Sequence, residues 1–299
     1  MISVLILTKN EQQDLPGCLQ SVAWCDDVHV YDSMSTDATL QIAARFGATL
    51  TQRPFDNWAA HQNWGLANIA FRHAWVFYID ADERMTPELV EAVHKAVAAP
   101  GDRVAFRVQR RDFLLGRWLR HVQTSPYYLR LFRPQAMRYE RLVNPVSIAD
   151  GPVGQVGGYL DHHPFSKGYT HWIERHNSYS TLEARQIADN RAHRANRANR
   201  GVGAAFSVRR AFFERDFHER RFHQKELFYR LPLRPLLKFL VLYVGKRGFL
   251  DGRAGLTYAL LQSIYEYFIV LKGSELQAKT PAVHTASVTT VPPDRETAG

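Results

Sequence analysis

The first hundred residues alternate short apolar runs with segments in which apolar residues recur at helical spacing. The apolar runs are Ile2–Leu7, Val28–Tyr31, a weaker one at Ala48–Thr51, and Trp75–Ile79. Helical spacing is found in Leu15–Ala23, Asp37–Phe46, Ala59–Phe71 and Pro87–Val97. Strands that alternate with helices in this way predict an α/β fold, with a doubly wound and mostly parallel sheet.

The pattern changes twice along the rest of the chain. Residues 103–163 carry alternating or continuous apolar runs typical of strands, and long helical patterns begin near residue 167. Residues 275–299 are rich in Thr, Ala, Val and Pro, a composition that favours disorder. We therefore expect an α/β domain at 1–165, a C-terminal helical extension at 166–274 and a disordered tail at 275–299.

Polar residues follow three of the predicted strands at the point where each strand ends. Thr8–Glu11 follow the first strand, Asp32–Asp37 the second and Asp80–Glu83 the fourth. Ligands of open parallel sheets bind beyond the carboxyl ends of the strands, so these loops are expected to converge on one site.

The last of these loops holds three carboxylates within four residues, Asp80, Asp82 and Glu83. Their mutual repulsion is relieved if they serve a hard divalent cation, Mg²⁺ or Mn²⁺, that is shared with a diphosphate. The alternative is a solvated turn before a helix. Because two other polar loops converge on the same edge, the cation is favoured.

The charge balance points to an anionic partner. The formal net charge is +9 and the isoelectric point is near 9.6, which suits nucleic acid, a membrane surface or a phosphorylated small molecule. A nucleic-acid-binding protein would leave the acidic cluster unexplained, because carboxylates in a concave site repel phosphates. No nucleic-acid partner is therefore expected.

Two features of the chain indicate the cytoplasm. Cys18 and Cys25 are too few for a zinc site or a disulfide framework, so reduced thiols are expected. The N-terminal sequence lacks the pattern of a signal peptide, and no stretch reaches the roughly 18 uninterrupted apolar residues of a clean membrane span.

Four successive motifs carry a resemblance to a known family. "VLILTKNE", "VHVYDSMSTDAT", "AAHQNWGL" and "FYIDADERMTPEL" resemble the motifs of family 2 glycosyltransferases, which have the GT-A fold. The resemblance is strong over residues 1–100. It continues through "YYLRLFRP" and "HHPFSKG" to about residue 190, as in the branch that builds lipopolysaccharide cores and exopolysaccharides. It implies an inverting hexosyltransferase with a nucleotide-sugar-binding and catalytic domain at 1–165.

The resemblance also implies roles for individual residues. It assigns the uridine of a UDP-sugar donor to residues that follow the first two strands: Thr8, Asn10, Glu11 and Asp32. Gln62 and Asn63 resemble a polar pair that faces the nucleotide or its diphosphate. Asp80 would contact ribose or sugar hydroxyls, Asp82 would bind the Mg²⁺ or Mn²⁺ ion, and His162 would complete the metal or diphosphate site.

The chain departs from the family pattern at the expected general base. Relatives often carry His-Glu shortly after the "LRLFR" segment, where this chain has Asn144 followed by proline. Glu140 is the nearest carboxylate that could deprotonate an acceptor hydroxyl, and Asp112 and Asp150 are the others.

A missing base also permits an acceptor that needs none. The ionised phosphate of a polyprenyl phosphate is such an acceptor, and Arg130 and Arg133 could contact it. Transfer to polyprenyl phosphate is therefore the alternative to transfer to a lipid-linked saccharide.

The C-terminal helices suggest where the enzyme acts. Arg234–Phe249 and Ala254–Lys272 combine apolar faces with basic residues, as helices at a cytosolic membrane interface do. Packing as core helices is the alternative. We expect a cytoplasmic enzyme that is peripherally associated with the anionic inner face of the cell membrane.

Overall fold

The computed structural model describes residues 1–140, 146–199, 206–214, 217–231 and 233–279. The strands are β1 Ser3–Thr8, β2 Val28–Asp32, β3 Thr49–Gln52, β4 Val76–Asp80, β5 Glu83–Met85, β6 Ala105–Leu114, β7 Arg117–Trp118, β8 Tyr127–Phe132, β9 Met137–Glu140, β10 Val146–Ala149 and β11 Val153–His162. The helices are α1 Leu15–Ser21, α2 Thr39–Arg45, α3 Trp58–Asn68, α4 Pro87–Ala98, α5 Gly168–Asn199, α6 Val208–Phe213, α7 Phe217–Arg230, α8 Arg234–Leu240 and α9 Gly252–Lys279.

The main sheet confirms the predicted fold class. Its strand order is β3-β2-β1-β4-β8-β6-β11-β5, and β7 pairs with β6 at one side. The pairs β1–β2, β1–β4, β2–β3 and β6–β11 are parallel. Because β8 is antiparallel to both β4 and β6, six strands of this sheet run in one direction: β1, β2, β3, β4, β6 and β11. β9 and β10 form a separate antiparallel pair.

The sheet is covered on both faces because side chains alternate along its strands. In β1, Val4 and Ile6 belong to one buried cluster, which also contains Leu15 of α1 and Leu89 of α4. The intervening Leu5 belongs to a second cluster. That cluster includes Ala59 of α3, Val76 of β4 and Tyr139 of β9. Three layers, helix, sheet and helix, result.

Local sequence signals start the helices that flank the site. Thr86 caps α4 by accepting a hydrogen bond from the Leu89 N–H, and Pro87 occupies the first turn, as the Thr-Pro pair predicts. Asn57 caps α3 in the same way, with a 2.9 Å bond from the Ala60 N–H.

The chain forms two compact units whose boundaries differ from the predicted ones. The first unit comprises Met1–His176 with Leu233–Ile264, and the second comprises Asn177–Pro232 with the chain from Tyr265 onwards. The segment Leu233–Ile264, expected in the helical extension, thus belongs with the main sheet. Residues 275–279, expected to be disordered, continue α9, and 280–299 lie outside the described residues.

Polar contacts hold the second unit together internally. Glu226 accepts hydrogen bonds from Arg191 Nε at 2.9 Å and from Arg230 Nε at 3.0 Å. Lys272 donates to the side chains of Ser180 and Thr181, each at 2.8 Å. These bonds join α5, α7 and the end of α9.

Candidate active site

Three polar loops meet at the carboxyl edge of the sheet. Thr8 lies opposite Asp32 in the β1–β2 ladder, and β4 ends beside them at Asp80. On the far side of β8, the β6–β11 ladder places Asp112 opposite His162 at the same edge. The sheet therefore brings these five residues to one edge from five strands.

The loops after β1 and β2, residues 8–12 and 32–39, are here called the donor loops. They are joined by hydrogen bonds that run from the groups of one loop to those of the other. The donor and acceptor pairs are Thr8 Oγ1 with Asp32, Lys9 Nζ with the Ser33 carbonyl, Asn10 N with Ser35 Oγ, Thr36 N with Asn10 Oδ1, Glu11 N with Thr39 Oγ1, Gln12 N with Asp37 and Ala38 N with Gln12 Oε1. Such a network fixes the loops before any ligand arrives.

Asp32, expected to contact uridine, is fully buried. Its carboxylate accepts hydrogen bonds from Thr8 Oγ1 at 2.9 Å, from the Ser35 N–H at 2.7 Å and from Gln52 Nε2 at 3.2 Å. The Ser35 hydroxyl is a further donor. The carboxylate of Asp32 therefore shapes the loop, and its capacity for a ligand is already largely used.

Glu11 connects the donor loops to the loop that follows β11. Lys167 Nζ donates to Glu11 Oε1 at 2.6 Å and to the Asn10 carbonyl at 2.9 Å. Burial raises the pKa of Glu11 to about 7; Lys167 opposes this rise, and Asp82 and Asp14 add to it. Glu11 Oε2 is buried and has no hydrogen-bond partner among the described residues.

Gln62 and Asn63, predicted to face the nucleotide, differ in their surroundings. Asn63 bonds the backbone of Tyr139 in both directions, accepting from its N–H at 2.8 Å and donating to its carbonyl at 2.9 Å. Asn63 thus anchors β9, a role that sequence reasoning missed. Gln62 is buried, and within the described part of the chain its Oε1 has no hydrogen-bond partner.

His61 is a buried residue at this edge that sequence reasoning also missed. Its ring stacks on Tyr31 with centroids 4.2 Å apart, and its Nε2 lies 3.2 Å from Ser33 Oγ. Burial and the nearby Arg53 charge lower the pKa of His61, which favours the neutral ring. The position of His61 in the quoted motif, one residue before Gln62, was the available signal.

Opposite charges compensate the acidic residues at the end of β4. Arg130 is buried, and its Nη2 donates to Asp80 Oδ2 at 2.9 Å and to Glu83 Oε1 at 2.6 Å. Arg130 also lies over the Tyr78 ring, 4.4 Å from its centroid. Arg110 approaches Glu83 to 3.8 Å. The repulsion among these carboxylates is thus relieved by arginine on one side of the cluster.

Asp82 and His162 form the other side of the cluster. His162 Nε2 lies 3.2 Å from Asp82 Oδ2, and His162 Nδ1 lies 2.5 Å from Asp112 Oδ1. Burial opposes the charged forms, but Asp82 and Asp112 raise the pKa of His162 to about 9. Despite its burial, the charge and hydrogen bond of His162 lower the pKa of Asp82 to about 2.

The Asp82–His162 pair could provide two ligands to a divalent metal ion, which would displace the proton that His162 Nε2 shares with Asp82. An imidazole that is held by a carboxylate through its other nitrogen, as Asp112 holds His162, is the usual arrangement of a histidine ligand. Among the described residues no group of three or more His, Cys, Asp or Glu could hold a metal ion. Two protein ligands suit an ion that takes its remaining oxygens from a diphosphate and water.

Arg84 fixes the backbone behind this pair. Its guanidinium donates to the Ala81 carbonyl at 2.8 Å and to the Asp14 carbonyl at 2.8 Å. A Cβ atom on Gly17 would lie only 2.5 Å from Arg84 Nε, so a side chain at that position of α1 would displace the Arg84 guanidinium. The loop after β4 is therefore positioned from α1, which the sequence pattern did not predict.

A family comparison decides the class of this site. The family model described as "Glycosyl transferase family 2" matches residues 3–156, which is just over half of the 299-residue chain. The chain belongs to glycosyl transferase family 2. It is accordingly a glycosyltransferase, and the predicted family and enzyme class are confirmed.

Individual relatives differ in how much of the chain they match. A "Lipopolysaccharide core biosynthesis glycosyltransferase LpsC" of Rhizobium meliloti (strain 1021) is 26% identical over 283 residues, covering 89% of this chain and 92% of its own. A solved structure of S. aureus TarS 1-349 is 16% identical, with a TM-score of 0.38 and coverage of 93% of this chain and 92% of its own.

A second solved structure matches a shorter part of the chain. Glucosyl-3-phosphoglycerate synthase from Mycobacterium tuberculosis, in complex with Mn²⁺ and uridine-diphosphate-glucose, is 22% identical, with a TM-score of 0.32. The match covers 37% of this family 2 glycosyltransferase and 44% of the synthase, so this chain spans less than half of that protein's length.

The three carboxylates considered as general base lie in different surroundings in this glycosyltransferase. Asp112 is buried and bonded by His162, Arg110 and Gln123; although burial opposes it, the contacts with His162 and Arg110 lower the pKa of Asp112. Glu140 and Asp150 are exposed, and Arg138 pairs with both. Asn144 lies outside the described residues. Asp112 is thus committed to positioning His162, and Glu140 stays a prediction.

The two arginines expected to contact an acceptor phosphate have other partners. Arg130 is only 4% exposed and is occupied by Asp80 and Glu83, so the structure gives it a neutralising role instead. Arg133 lies over the Trp75 ring at 4.7 Å from its centroid. Arg130 is therefore occupied by carboxylates, and contact of Arg133 with an acceptor phosphate stays a prediction.

Proposed function

We propose that this enzyme transfers a sugar, with inversion, from a UDP-sugar to a lipid-linked saccharide during assembly of the lipopolysaccharide core. The observation that carries this proposal is the Asp82–His162 pair, which lies at the carboxyl edge of the sheet beside the donor loops. The acceptor class is supported by the name of LpsC, since the match extends over 89% of the chain.

The donor loops are proposed to hold the uridine. Thr8, Asn10 and Asp32 act by fixing the shape of these loops through their own hydrogen bonds. Glu11 and Gln62 each retain a buried oxygen without a partner among the described residues. Buried polar groups are normally hydrogen-bonded, so these two oxygens are the proposed acceptors for donor N–H or hydroxyl groups.

The diphosphate is proposed to lie between the donor loops and the acidic cluster. A Mg²⁺ or Mn²⁺ ion held by Asp82 and His162 would supply positive charge against the charge that develops on departing UDP. Asp112 keeps His162 Nε2 turned toward Asp82. The side chain of Asp80 is 36% exposed, which leaves it able to accept sugar hydroxyls while Arg130 offsets its charge.

Glu140 is the proposed general base for the acceptor hydroxyl. Replacing Glu140 by Gln should lower kcat by about 10²- to 10⁴-fold, the usual contribution of a general base, without changing UDP-sugar affinity. Asp150→Asn is the matched control, because Asp150 is also exposed and also pairs with Arg138. An unchanged kcat in Glu140→Gln would mean that Glu140 is not the general base. The base would then be sought near Asn144, or the acceptor would be an ionised phosphate that needs none.

Transfer to a saccharide is preferred to transfer to polyprenyl phosphate on one observation. The buried ion pairs of Arg130 occupy one of the two arginines that were expected to contact the lipid phosphate. The acceptor is proposed to be reached at the cytoplasmic face of the membrane, where the enzyme associates peripherally.

Calorimetry with a panel of nucleotide sugars tests the proposal. UDP-sugars should bind, GDP- and CMP-sugars should bind less well, and Mn²⁺ should tighten UDP-sugar binding. Asp82→Asn should abolish the effect of Mn²⁺, whereas Asp26→Asn, a surface carboxylate that pairs with His73, should retain it. The proposal fails if no nucleotide sugar binds or if Asp82→Asn keeps the full response to Mn²⁺.

A further inference from the structure

The segment Leu233–Ile264 belongs to the same compact unit as the catalytic sheet and is anchored to it by its inner side. Leu242, Ala254 and Ala259 are buried in one cluster with Leu119 and Val122, which follow β6. These packed side chains hold α9 against the sheet.

A buried carboxylate strengthens the same attachment. Asp251 accepts hydrogen bonds from the backbone N–H groups of His121 at 2.9 Å and Val122 at 2.8 Å, and its other oxygen lies 2.7 Å from His121 Nδ1. The inner side of the segment is therefore attached both by packed apolar side chains and by hydrogen bonds.

The opposite side of α9 carries an uncovered apolar stripe. Leu256, Leu260 and Ile264 follow one another at four-residue spacing, which places them on one helix face. They are 37%, 46% and 47% exposed. The helical stretch Gly248–Ala278, which is formed by the turn before α9 and by α9 itself, is long and apolar enough to cross a membrane by length and composition, yet only 28% of its most apolar part is buried. A core helix of this composition would be mostly buried, so the stripe Leu256, Leu260 and Ile264 is not part of the packed core.

Exposed apolar side chains continue in the preceding turns. Leu240, Val244 and Phe249 are 45%, 56% and 48% exposed. Scattered single residues of this kind are ordinary on a protein surface, but so many within one anchored segment mark an interaction surface.

The charges of the segment select the partner. Between Leu233 and Ile264 the chain has five basic residues and a single acidic one, Asp251, which is buried. Lys246, Arg247 and Arg253 are exposed, so the solvent-facing charge of the segment is entirely positive. A second copy of this chain would bring like charges together, whereas anionic lipid headgroups complement them.

We propose that the stripe Leu256, Leu260 and Ile264, with the exposed cations Lys246, Arg247 and Arg253, docks the catalytic unit on an anionic lipid bilayer. The helix lies in the interface and does not cross the bilayer, because its inner side is committed to the sheet. This inference names the surface behind the peripheral association in the proposed function, and it is independent of the donor chemistry.

Flotation of the full-length protein with vesicles tests the proposal. The protein should float with vesicles of phosphatidylcholine mixed with phosphatidylglycerol and remain unbound with phosphatidylcholine alone. Leu260→Gln/Ile264→Gln should weaken binding to the anionic vesicles about tenfold or more, because two interfacial apolar side chains are lost. Phe46→Gln/Leu50→Gln is the matched control, with side chains of similar exposure outside the segment, and it should bind like the unchanged protein.

A charge pair sharpens the test. Lys246→Gln/Arg253→Gln should weaken vesicle binding about fivefold for each lost cation, while Lys95→Gln/Arg107→Gln, exposed cations of α4 and β6, should not. Alkaline carbonate should release the bound protein. Retention after carbonate, or equal binding by the stripe variant and its control, overturns the proposal.

A separate measurement tests whether a second copy of this chain, and not a lipid bilayer, covers this surface. If Leu260→Gln/Ile264→Gln converts a dimer to a monomer in sedimentation velocity without changing flotation, the stripe binds a second copy and the proposal is wrong. UDP-sugar calorimetry on the same variant, without vesicles, should match the unchanged protein. That result separates a failure of membrane docking from a failure of the donor assignment.

Discussion

The donor loops and the acidic cluster lie at the same edge of the sheet but are stabilised in different ways. The donor loops are joined by side-chain and backbone hydrogen bonds in which the charged groups, Lys9, Asp32 and Asp37, each have a neutral partner in the other loop, such as the Thr8 hydroxyl for Asp32 at 2.9 Å. The acidic cluster of Asp80, Asp82, Glu83 and Asp112 is held by ion pairs with Arg130, Arg110 and His162.

This difference predicts two kinds of response to mutation. A single hydrogen bond contributes about 1 kcal/mol net, so the donor loops should weaken by small steps. A buried charge that loses its partner costs several kcal/mol, so the acidic cluster should respond sharply. The shape of the donor loops is thus held by many small contributions to stability, and the shape of the acidic cluster by a few large ones.

The largest effect is expected from Arg130→Met. The variant leaves Glu83, which is fully buried, without its closest cation, and it also removes the partner of Asp80. Breaking such a buried pair should lower the free energy of unfolding by about 3–5 kcal/mol, as measured by urea denaturation.

Removing the opposite charge at the same time provides the control for this prediction. Arg130→Met/Glu83→Gln should recover part of the loss, because the buried carboxylate that was left unpaired is now neutral. If the single variant loses less than about 1 kcal/mol, or if the double variant is no more stable than the single one, the cluster does not depend on charge compensation.

His162 is expected to make the free energy of unfolding of the metal-free protein depend on pH. Its pKa in the folded state is about 9, above the ordinary value of 6.5, so the folded state binds the extra proton more tightly. The resulting stabilisation is complete below pH 6.5 and is lost as the pH rises to about 9. Its full size is about 3 kcal/mol, from the shift in pKa.

Urea denaturation with a chelator at several pH values measures this dependence. The unchanged protein should lose stability between pH 6.5 and 9, and His162→Gln should show a flatter profile over the same window. Identical profiles for the two proteins would mean that the imidazolium does not stabilise the Asp82–Asp112 arrangement.

Much of the fold and of the site edge was predictable from the sequence. Alternating strands and helices were sufficient for the sheet, because local periodicity carries that information. The ends of β1, β2 and β4 were equally predictable, since each strand is followed directly by its polar residues. This is why Thr8, Asp32 and Asp80 were placed correctly at one edge.

The partners of these residues were not predictable in the same way. Arg130 comes from β8, which inserts between β4 and β6, and no local pattern specifies that strand order. Arg130 was therefore predicted to contact a ligand, although its guanidinium pairs with carboxylates about fifty positions earlier in the chain. The anchoring role of Asn63 was missed for a similar reason, because its bonds reach the backbone of Tyr139. Long-range pairing, not composition, decided both roles.

The smallest effects are expected in the donor loops, at Asn10. This residue has a φ of 55°, in the left-handed region, and its Oδ1 holds the Thr36 N–H. Asn10→Ala loses the bond. Alanine also lacks the local side-chain hydrogen bond with which asparagine tolerates the left-handed region, so the variant should lose about 2 kcal/mol of stability. Asn10→Gly loses the bond alone and should cost about 1 kcal/mol.

Urea denaturation of the two Asn10 variants, together with the KM for UDP-sugar, completes the comparison. Both variants should raise KM more than they lower kcat, since the loop that is proposed to position the uridine becomes less ordered while the Asp82–His162 pair is untouched. If the Ala and Gly variants are equally stable, the left-handed backbone contributes nothing. If kcat falls by a larger factor than KM rises, the donor loops and the acidic cluster do not act separately, and the distinction between many small contributions and a few large ones is wrong.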